Sequence, residues 1–503
     1  MRSPVPGIIV TLPARGPEEA RDEVREAQAA GADLAEVRFD RWEPSDRRRA
    51  NALFPSPLPL VATLRSRAEG GNGPDDPAER RAILEDLGRL PFRWIDLEDG
   101  RDRPEAIALP PPPGLGRIVS THWPDGTTPE RWSEEIRREL PAGAVRKVVA
   151  RAEVAETLTR LIPALPPPEE ARAIALTTGP SAPLLRALSR RLELPFVFAS
   201  LPERFDQSGL RPPVEPGQIP ADRLRPYLEA PDEAPLFAIV GHPVAHSRSP
   251  SIHGRWIGRT GRRGLYVPLD VGSEEEFLSS LPLLAGWGFR GLNVTHPWKA
   301  AALSAASEVS RGAESCGVAN CLTLDRDGLA AENTDLVAIL RRLDELKDDG
   351  RWSGRSLSVI GGGGAARATL AAAREQGASA RLYARSRAIG EAVARSFGAE
   401  FVPPSDARVD ELVVHATPVG RAGAGPLEVP LAPLVGQGTH VIDWVYAADS
   451  PVLHRQTEEQ EGTYEDGTRL LVYQAAASFG IWWGEEPAPE EIRRVLKEEE
   501  CTA

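Results

Sequence analysis

The chain has 503 residues, of which 41% are apolar and 26% charged, and its formal net charge is −13. This length predicts two to four domains, and the composition is that of a folded chain rather than a disordered one. The acidic balance argues against a nucleic-acid partner, and with no long apolar run and no signal-like start a cytoplasmic protein without a membrane partner is expected.

One bias matters for chemistry. Of 60 basic residues only four are lysine: Lys147, Lys299, Lys347 and Lys497. Arginine serves wherever a positive charge suffices, so a retained lysine can mark imine formation or proton transfer. Lys347 and Lys497 lie in the solvated runs DELKDD and LKEEE, whereas Lys147 and Lys299 lie in apolar or motif settings. The cysteines, Cys316, Cys321 and Cys501, have neither zinc spacing nor a disulfide framework.

Residues 1–225 alternate strand-like and helix-like segments. GIIVTL (7–12), LAEVRF (34–39), PLVATLR (59–65), RWIDLE (93–98), RIVSTH (117–122), VRKVVA (145–150), RAIALTT (172–178) and FVFAS (196–200) read as eight strands. Near-continuous Val/Ile/Leu strands joined by helices predict a parallel sheet, and eight such units predict a (β/α)8 barrel. Chemistry in such barrels gathers at the C-terminal ends of strands. Glu36, Arg38, Arg65, Glu98, His122 and Lys147 fall there, and His122 is the only histidine before residue 240. A buried lysine can attack a ketone to form an imine. His122 is then placed to shuttle the proton beside it, with Glu98 orienting the imidazole.

The segments EVRFD (36–40), TLRSRAEGG (63–71), WIDLE (94–98), STH (120–122), VRKVVA (145–150) and EPGQI (215–219) resemble, in order, the type I 3-dehydroquinate dehydratases. The resemblance implies a barrel whose lysine forms a Schiff base with 3-dehydroquinate, with water then lost to give 3-dehydroshikimate. By motif, Lys147 matches the imine lysine, His122 the acid/base and Glu98 its partner. Glu36, Arg38, Arg65 and Gln218 match substrate-binding positions. No metal is expected, because the imine supplies the electron sink. Ala182-Pro183 stand where the family carries Ser-Arg, with Arg186 one turn later. Val214 and Trp123-Pro124 also depart from the pattern.

Residues 226–235 lie in a proline-rich linker, and LFAIVG (236–241) begins a second half. GHPVAHSRSP (241–250) sets Ser247 and Ser249 two apart, so both hydroxyls point the same way if the segment is extended. Such serines also cap helices. GLNVTHPWK (291–299) places Thr295 and Lys299 at a turn after a strand. GVANCLT (317–323) carries Asn320, and AENTDLVAI (331–339) puts Asp335 at a helix start. A Lys–Asp pair makes a proton relay to a carbonyl oxygen.

LSVIGGGGAAR (357–367) then reads as strand, glycine turn and helix. Gly361 permits the turn, Gly363 lets backbone approach a pyrophosphate, and Gly364 and Ala365 open the helix that faces it. Arg385, 22 residues after Gly363, stands with Ser386 and Arg387 where an NAD site carries an acidic residue, so NADP is expected.

Together these segments resemble shikimate dehydrogenase from about residue 237 to 483. By motif, Ser247 and Ser249 bind the substrate carboxylate, and Lys299 and Asp335 are the catalytic pair. Thr295, Asn320, Gln474 and Tyr446 contact substrate. HATPVG (415–420) matches an N-A-T-x-x-G loop near the nicotinamide, with His415 for Asn and Thr417 kept. The implied layout is a substrate-binding lobe, 236–340, joined by helices from 470–503, and a Rossmann NADP-binding lobe, 345–468. The two resemblances share 3-dehydroshikimate, the product of one and the substrate of the other, before shikimate. A bifunctional enzyme is therefore expected. The rivals are a sensor or regulator that keeps both folds but is non-catalytic or active only as a dehydrogenase, and an NAD-dependent quinate/shikimate dehydrogenase.

Overall fold

The computed structural model describes residues 5–102, 115–140, 143–168, 170, 173–206, 209–210, 213–230, 234–325, 328–419, 429–446 and 451–500. Cys501 and Gly420 of the HATPVG loop lie outside them. The chain forms two compact units, one of residues 1–238, 243–246 and 257–289 and one of 239–242, 247–256 and 290–503. Among the described residues no helix is long and apolar enough to cross a membrane.

In the first unit the strands are β1 (Gly7–Leu12), β2 (Leu34–Arg38), β3 (Leu60–Thr63), β4 (Trp94–Glu98), β5 (Gly116–Trp123), β6 (Ala144–Arg151), β7 (Ala173–Thr178) and β8 (Phe196–Ala199). They form one parallel sheet in the order β7-β6-β5-β4-β3-β2-β1-β8, a nearly closed barrel whose seam falls between β7 and β8. Side chains cross that seam: Ile174 and Leu176 of β7 share a buried cluster with Phe198 of β8, Ile9, Val61 and Ile118. Burying the apolar faces of all eight strands in this way is what closes the sheet. The strand Leu265–Asp270 also belongs to this unit, because the helix Ala182–Leu188 packs on it. Compactness thus groups 257–289 with the barrel, whereas the motifs assign them to the second half.

The second unit holds two sheets. β9 (Phe289–Val294) pairs antiparallel with β10 (Cys321–Leu324), and β10 with β11 (Leu329–Glu332). The other sheet contains β12 (Ser356–Ile360), β13 (Ser379–Tyr383), β14 (Glu400–Phe401), β15 (Leu412–His415), β16 (His440–Asp443) and β17 (Thr463–Glu465), in the order β14-β13-β12-β15-β16-β17. Its pairings are parallel. The strand order reverses between β12 and β15, which puts a ligand crevice at their C-terminal ends. The helix Thr468–Trp483 then packs against the helix Thr334–Asp348.

Candidate active sites

Alternate residues of a strand face one side. At the ends of β2, β4 and β5 this rule turns Glu36 and Arg38, Asp96 and Glu98, and Ser120 and His122 into the barrel, and Arg65 just beyond β3 joins them. Lys147 of β6 is 4% exposed. Its Nζ lies 3.0 Å from Asp96 Oδ2, 4.0 Å from Glu36 Oε1 and 4.1 Å from the centre of the Phe198 ring. Burial pushes the Asp96 carboxyl up, but Arg65 and Lys147 outweigh it and hold the group below the usual carboxylate range. Glu36 accepts hydrogen bonds from the hydroxyls of Thr11 and Thr63, each at 2.8 Å, and Gln218 Nε2 donates to Thr11 Oγ1 at 2.9 Å. Arg38 is held by Asp40 and by Glu215, the latter at 2.5 Å.

The imidazole partner differs from the sequence expectation. Glu98 does not reach His122. Its Oε1 accepts from the Ser66 N–H at 2.7 Å and from Arg65 at 3.2 Å, and Arg80 lies 3.4 Å from its Oε2. The carboxylate against His122 is Glu69, whose Oε2 is 2.7 Å from Nδ1. Glu98 acts one step away. It holds Ser66, whose hydroxyl accepts from the Glu69 N–H and starts the turn that delivers Glu69. The signal was present in TLRSRAEGG. Gly70 has φ +85°, and a Cβ on Gly71 would stand 2.3 Å from the Arg65 carbonyl, so both glycines mark a tight turn presenting the preceding acid.

Burial, then Arg65 and Lys147, hold the His122 imidazole well below its ordinary pKa of 6.5. Burial, then the Glu98 charge, push Glu69 up to about 8. The pair therefore shares one proton near neutral pH, with Arg65 Nη1 also 3.0 Å from Nδ1.

Arg186 spans the barrel seam. Its Nε donates to the Phe198 carbonyl of β8 at 3.2 Å, and its Nη1 to the Thr177 carbonyl of β7 at 3.0 Å and to Ala182. Among the described residues no carboxylate forms an ion pair with it; burial, opposed by the Glu215 charge, lowers its pKa to about 10, so it keeps its charge at neutral pH.

In the second unit Lys299 opens the helix Lys299–Ala305 and Asp335 lies in the first turn of Thr334–Asp348. Nζ is 2.5 Å from Asp335 Oδ2. Asn320 orients the carboxylate: its Nδ2 donates to Asp335 Oδ1 at 2.9 Å, and its Oδ1 accepts from the Thr334 N–H at 2.7 Å. The Lys299 stem lies against the glycine loop, since a Cβ on Gly364 would stand 2.9 Å from Lys299 Cδ. Ser247 Oγ accepts from the N–H of Ser249, the first residue of the helix Ser249–Arg259, at 3.3 Å. It therefore acts as a cap, while the Ser249 side chain is buried. Gln474 is buried and bonds within its own helix, to Leu471. Thr295 and Tyr446 are half-buried.

The glycine loop fits a dinucleotide pyrophosphate. Gly361 has φ +124°, and a Cβ there would stand 2.6 Å from the Ala416 carbonyl. Gly363 is the extended N-cap of Gly364–Glu375 and offers no side-chain cap, so the first-turn N–H groups around Ala365 stay open to an anion. Arg385 and Arg387 are exposed at the end of β13. Ser386 instead caps the next helix, accepting from the Ile389 N–H at 3.4 Å.

Residues 8–234 match the type I 3-dehydroquinase family, and residues 239–322 match the shikimate dehydrogenase substrate binding domain. A protein of Paracoccus denitrificans named shikimate dehydrogenase (NADP(+)) is 36% identical over 280 residues, covering 54% of this chain and 98% of that protein. The protein of the same name from Acidiphilium cryptum is 36% identical over 262 residues, covering 51% and 94%. The crystal structure of shikimate dehydrogenase from Aquifex aeolicus covers 53% of this chain and 99% of that one at 25% identity, with a TM-score of 0.49. The chain belongs to the shikimate dehydrogenase family and carries a type I 3-dehydroquinase domain ahead of that family's substrate binding domain.

Proposed function

We propose that this chain is a bifunctional enzyme of the shikimate pathway, dehydrating 3-dehydroquinate in residues 1–225 and reducing the product to shikimate in 236–503. The observation that carries the reading is a pair of lysines, each held against a carboxylate, in the halves that match these two families. Between the halves lies the linker, 226–235.

In the barrel the Lys147 amine adds to the substrate ketone and expels water, forming an imine. The protonated imine draws electrons from the neighbouring C–H bond, whose proton passes to His122. The imidazole returns that proton to the departing hydroxyl, and hydrolysis of the imine frees Lys147. Glu69 holds the imidazole in place. Arg186, whose hydrogen bonds go to main-chain carbonyls, is the proposed receptor for the substrate carboxylate. Arg38, Glu36 and Gln218 order the hydroxyls.

In the second half NADPH supplies the hydride when bound. Gly361 and Gly363 leave room for its pyrophosphate, and Arg385 with Arg387 offers charge to its 2′-phosphate. Lys299, kept in place by Asp335 and Asn320, passes a proton to the carbonyl oxygen. Ser249, with Ser247, binds the substrate carboxylate.

The test is incubation with 3-dehydroquinate and NADPH. The expected record is a transient enone absorbance followed by stoichiometric NADPH loss. Enone that accumulates without NADPH loss, or no enone at all, would remove one half of the proposal.

A further inference from the structure

His415 is the one residue of the HATPVG loop that departs from the family pattern, and no step above uses it. It is fully buried at the end of β15. Its Nδ1 lies 2.9 Å from Asp443 Oδ1 at the end of the adjoining strand β16, and its Nε2 lies 2.6 Å from Thr417 Oγ1. Asp443 also accepts from the Val445 N–H and from the Tyr464 hydroxyl, each at 3.0 Å.

A carboxylate that already takes these two donors only accepts, so a neutral imidazole facing it carries its proton on Nδ1. Nε2 is left with a lone pair, and the Thr417 hydroxyl must donate to it. Thr417 Oγ1 in turn accepts from the Val419 N–H at 3.3 Å. With its proton committed, Thr417 faces any ligand as an acceptor.

Its location identifies the ligand group. Thr417 follows β15, at the point where the sheet order reverses, and its Cγ2 would stand 3.3 Å from a Cβ on Gly361. Arg385 and Arg387, at the end of β13, lie on the adenosine side of that crevice. β15 begins the opposite mononucleotide half, which receives the nicotinamide. The donor on that ring is the carboxamide N–H2.

We propose that His415 and Asp443 are positioning residues that lock Thr417 as the acceptor for the nicotinamide carboxamide, so that this half selects a carboxamide over a methyl ketone at that ring position. The inference rests on the reading of residues 236–503 as an NADPH-dependent dehydrogenase.

The experiment measures dissociation constants of the full chain, by calorimetry, for NADPH and for its reduced 3-acetylpyridine analogue, which lacks the N–H2 group. Thr417→Val and His415→Leu should each weaken NADPH about fivefold to tenfold, the worth of one net hydrogen bond, and leave the analogue unchanged. The double variant should be no worse than either single one. His415→Asn keeps an acceptor for Thr417 and a donor for Asp443, and should stay within about threefold of the parent, less than the loss of that bond. Equal weakening of both dinucleotides, or additive losses, would overturn the inference. Should His415→Leu fail to fold, Thr417→Val still tests the acceptor and His415→Asn the positioning pair: NADPH binding unchanged in the first, or weakened beyond about threefold in the second, would overturn the inference. A parent chain that does not oxidise NADPH with 3-dehydroshikimate fails the proposed function instead, which is a separate outcome.

Discussion

The two lysines stand in opposite surroundings. The Lys147 side chain is 6% exposed, among groups carried on strand ends, and the two carboxylates beside it, Glu36 and Asp96, are each bonded through both oxygens. The Lys299 side chain is 20% exposed, follows a turn at the start of a helix, and has one carboxylate at 2.5 Å. The difference follows from what each amine is proposed to do. An imine has to be built in a pocket whose proton carriers are placed beforehand, and rigid strand ends place them. A relay that hands one proton to a carbonyl needs a single orienting partner and an open side for substrate and cofactor. Buried charge networks are correspondingly more costly to break than pairs with one partly exposed member.

The largest effect expected is from Lys147→Ala, which should lower dehydration by more than about 10⁴-fold, abolish covalent trapping by borohydride with substrate, and leave 3-dehydroshikimate reduction intact. Lys299→Ala is the mirror experiment. It should lower reduction by about 10²–10⁴-fold and leave dehydration unchanged. Any cross-effect would break the contrast between two self-sufficient sites.

Glu69→Gln and Glu98→Gln sharpen the barrel side. The first should cost about 10²-fold in kcat with a near-parental Tm, because it removes the group against the imidazole. The second should act chiefly on Tm, since it breaks a buried ion cluster, a change typically costing about 3–5 kcal/mol. Arg186→Met should raise KM for 3-dehydroquinate about tenfold or more with a smaller change in kcat, as expected for a lost charge-assisted hydrogen bond.

The smallest effect is on pH dependence. Glu69 is raised from 4.5 to about 8, so dehydration should rise with pH through about 8 as it becomes the carboxylate partner of His122, and Glu69→Gln should flatten that limb. Stability moves the other way there. Between 4.5 and 8 the folded chain holds a proton on Glu69 that the unfolded chain has lost, so this group's contribution falls as pH rises. His122, lowered by burial and then by Arg65, adds a loss on the acid side: below 6.5 the unfolded chain binds a proton that the folded chain refuses. Thermal unfolding of the parent, Glu69→Gln and His122→Asn across pH 4–9 reads both slopes.

Much of this was legible in the residues. The eight barrel strands begin and end within a few residues of the apolar runs that predict them, because parallel strands covered on both faces must be apolar throughout. The Lys–Asp pair and the glycine turn were legible for a related reason: each sits at the end of a regular element, where spacing fixes direction. Glu98 was misplaced because β4 and the Ser66–Glu69 turn both offer an acid to the same space, and periodicity does not rank two acids from different segments. Arg186 was legible only as an arginine one turn past Ala182-Pro183, without its partners, for a similar reason. It fills a seam between β7 and β8 that exists only once the sheet curves.

The sequence by itself determined the two folds, the two amines and the glycine cradle, since each depends on local periodicity or on a residue type that its neighbours cannot replace. The tertiary structure decided which carboxyl group meets His122, which guanidinium hydrogen-bonds to carbonyls across the barrel seam, and that the Ser247 oxygen accepts from the first N–H of a helix. It also tied His415 to Asp443 and Thr417. Such pairings join residues tens of positions apart, and in a buried site the group that wins a partner is set by distances of a few tenths of an ångström that only the packed chain fixes.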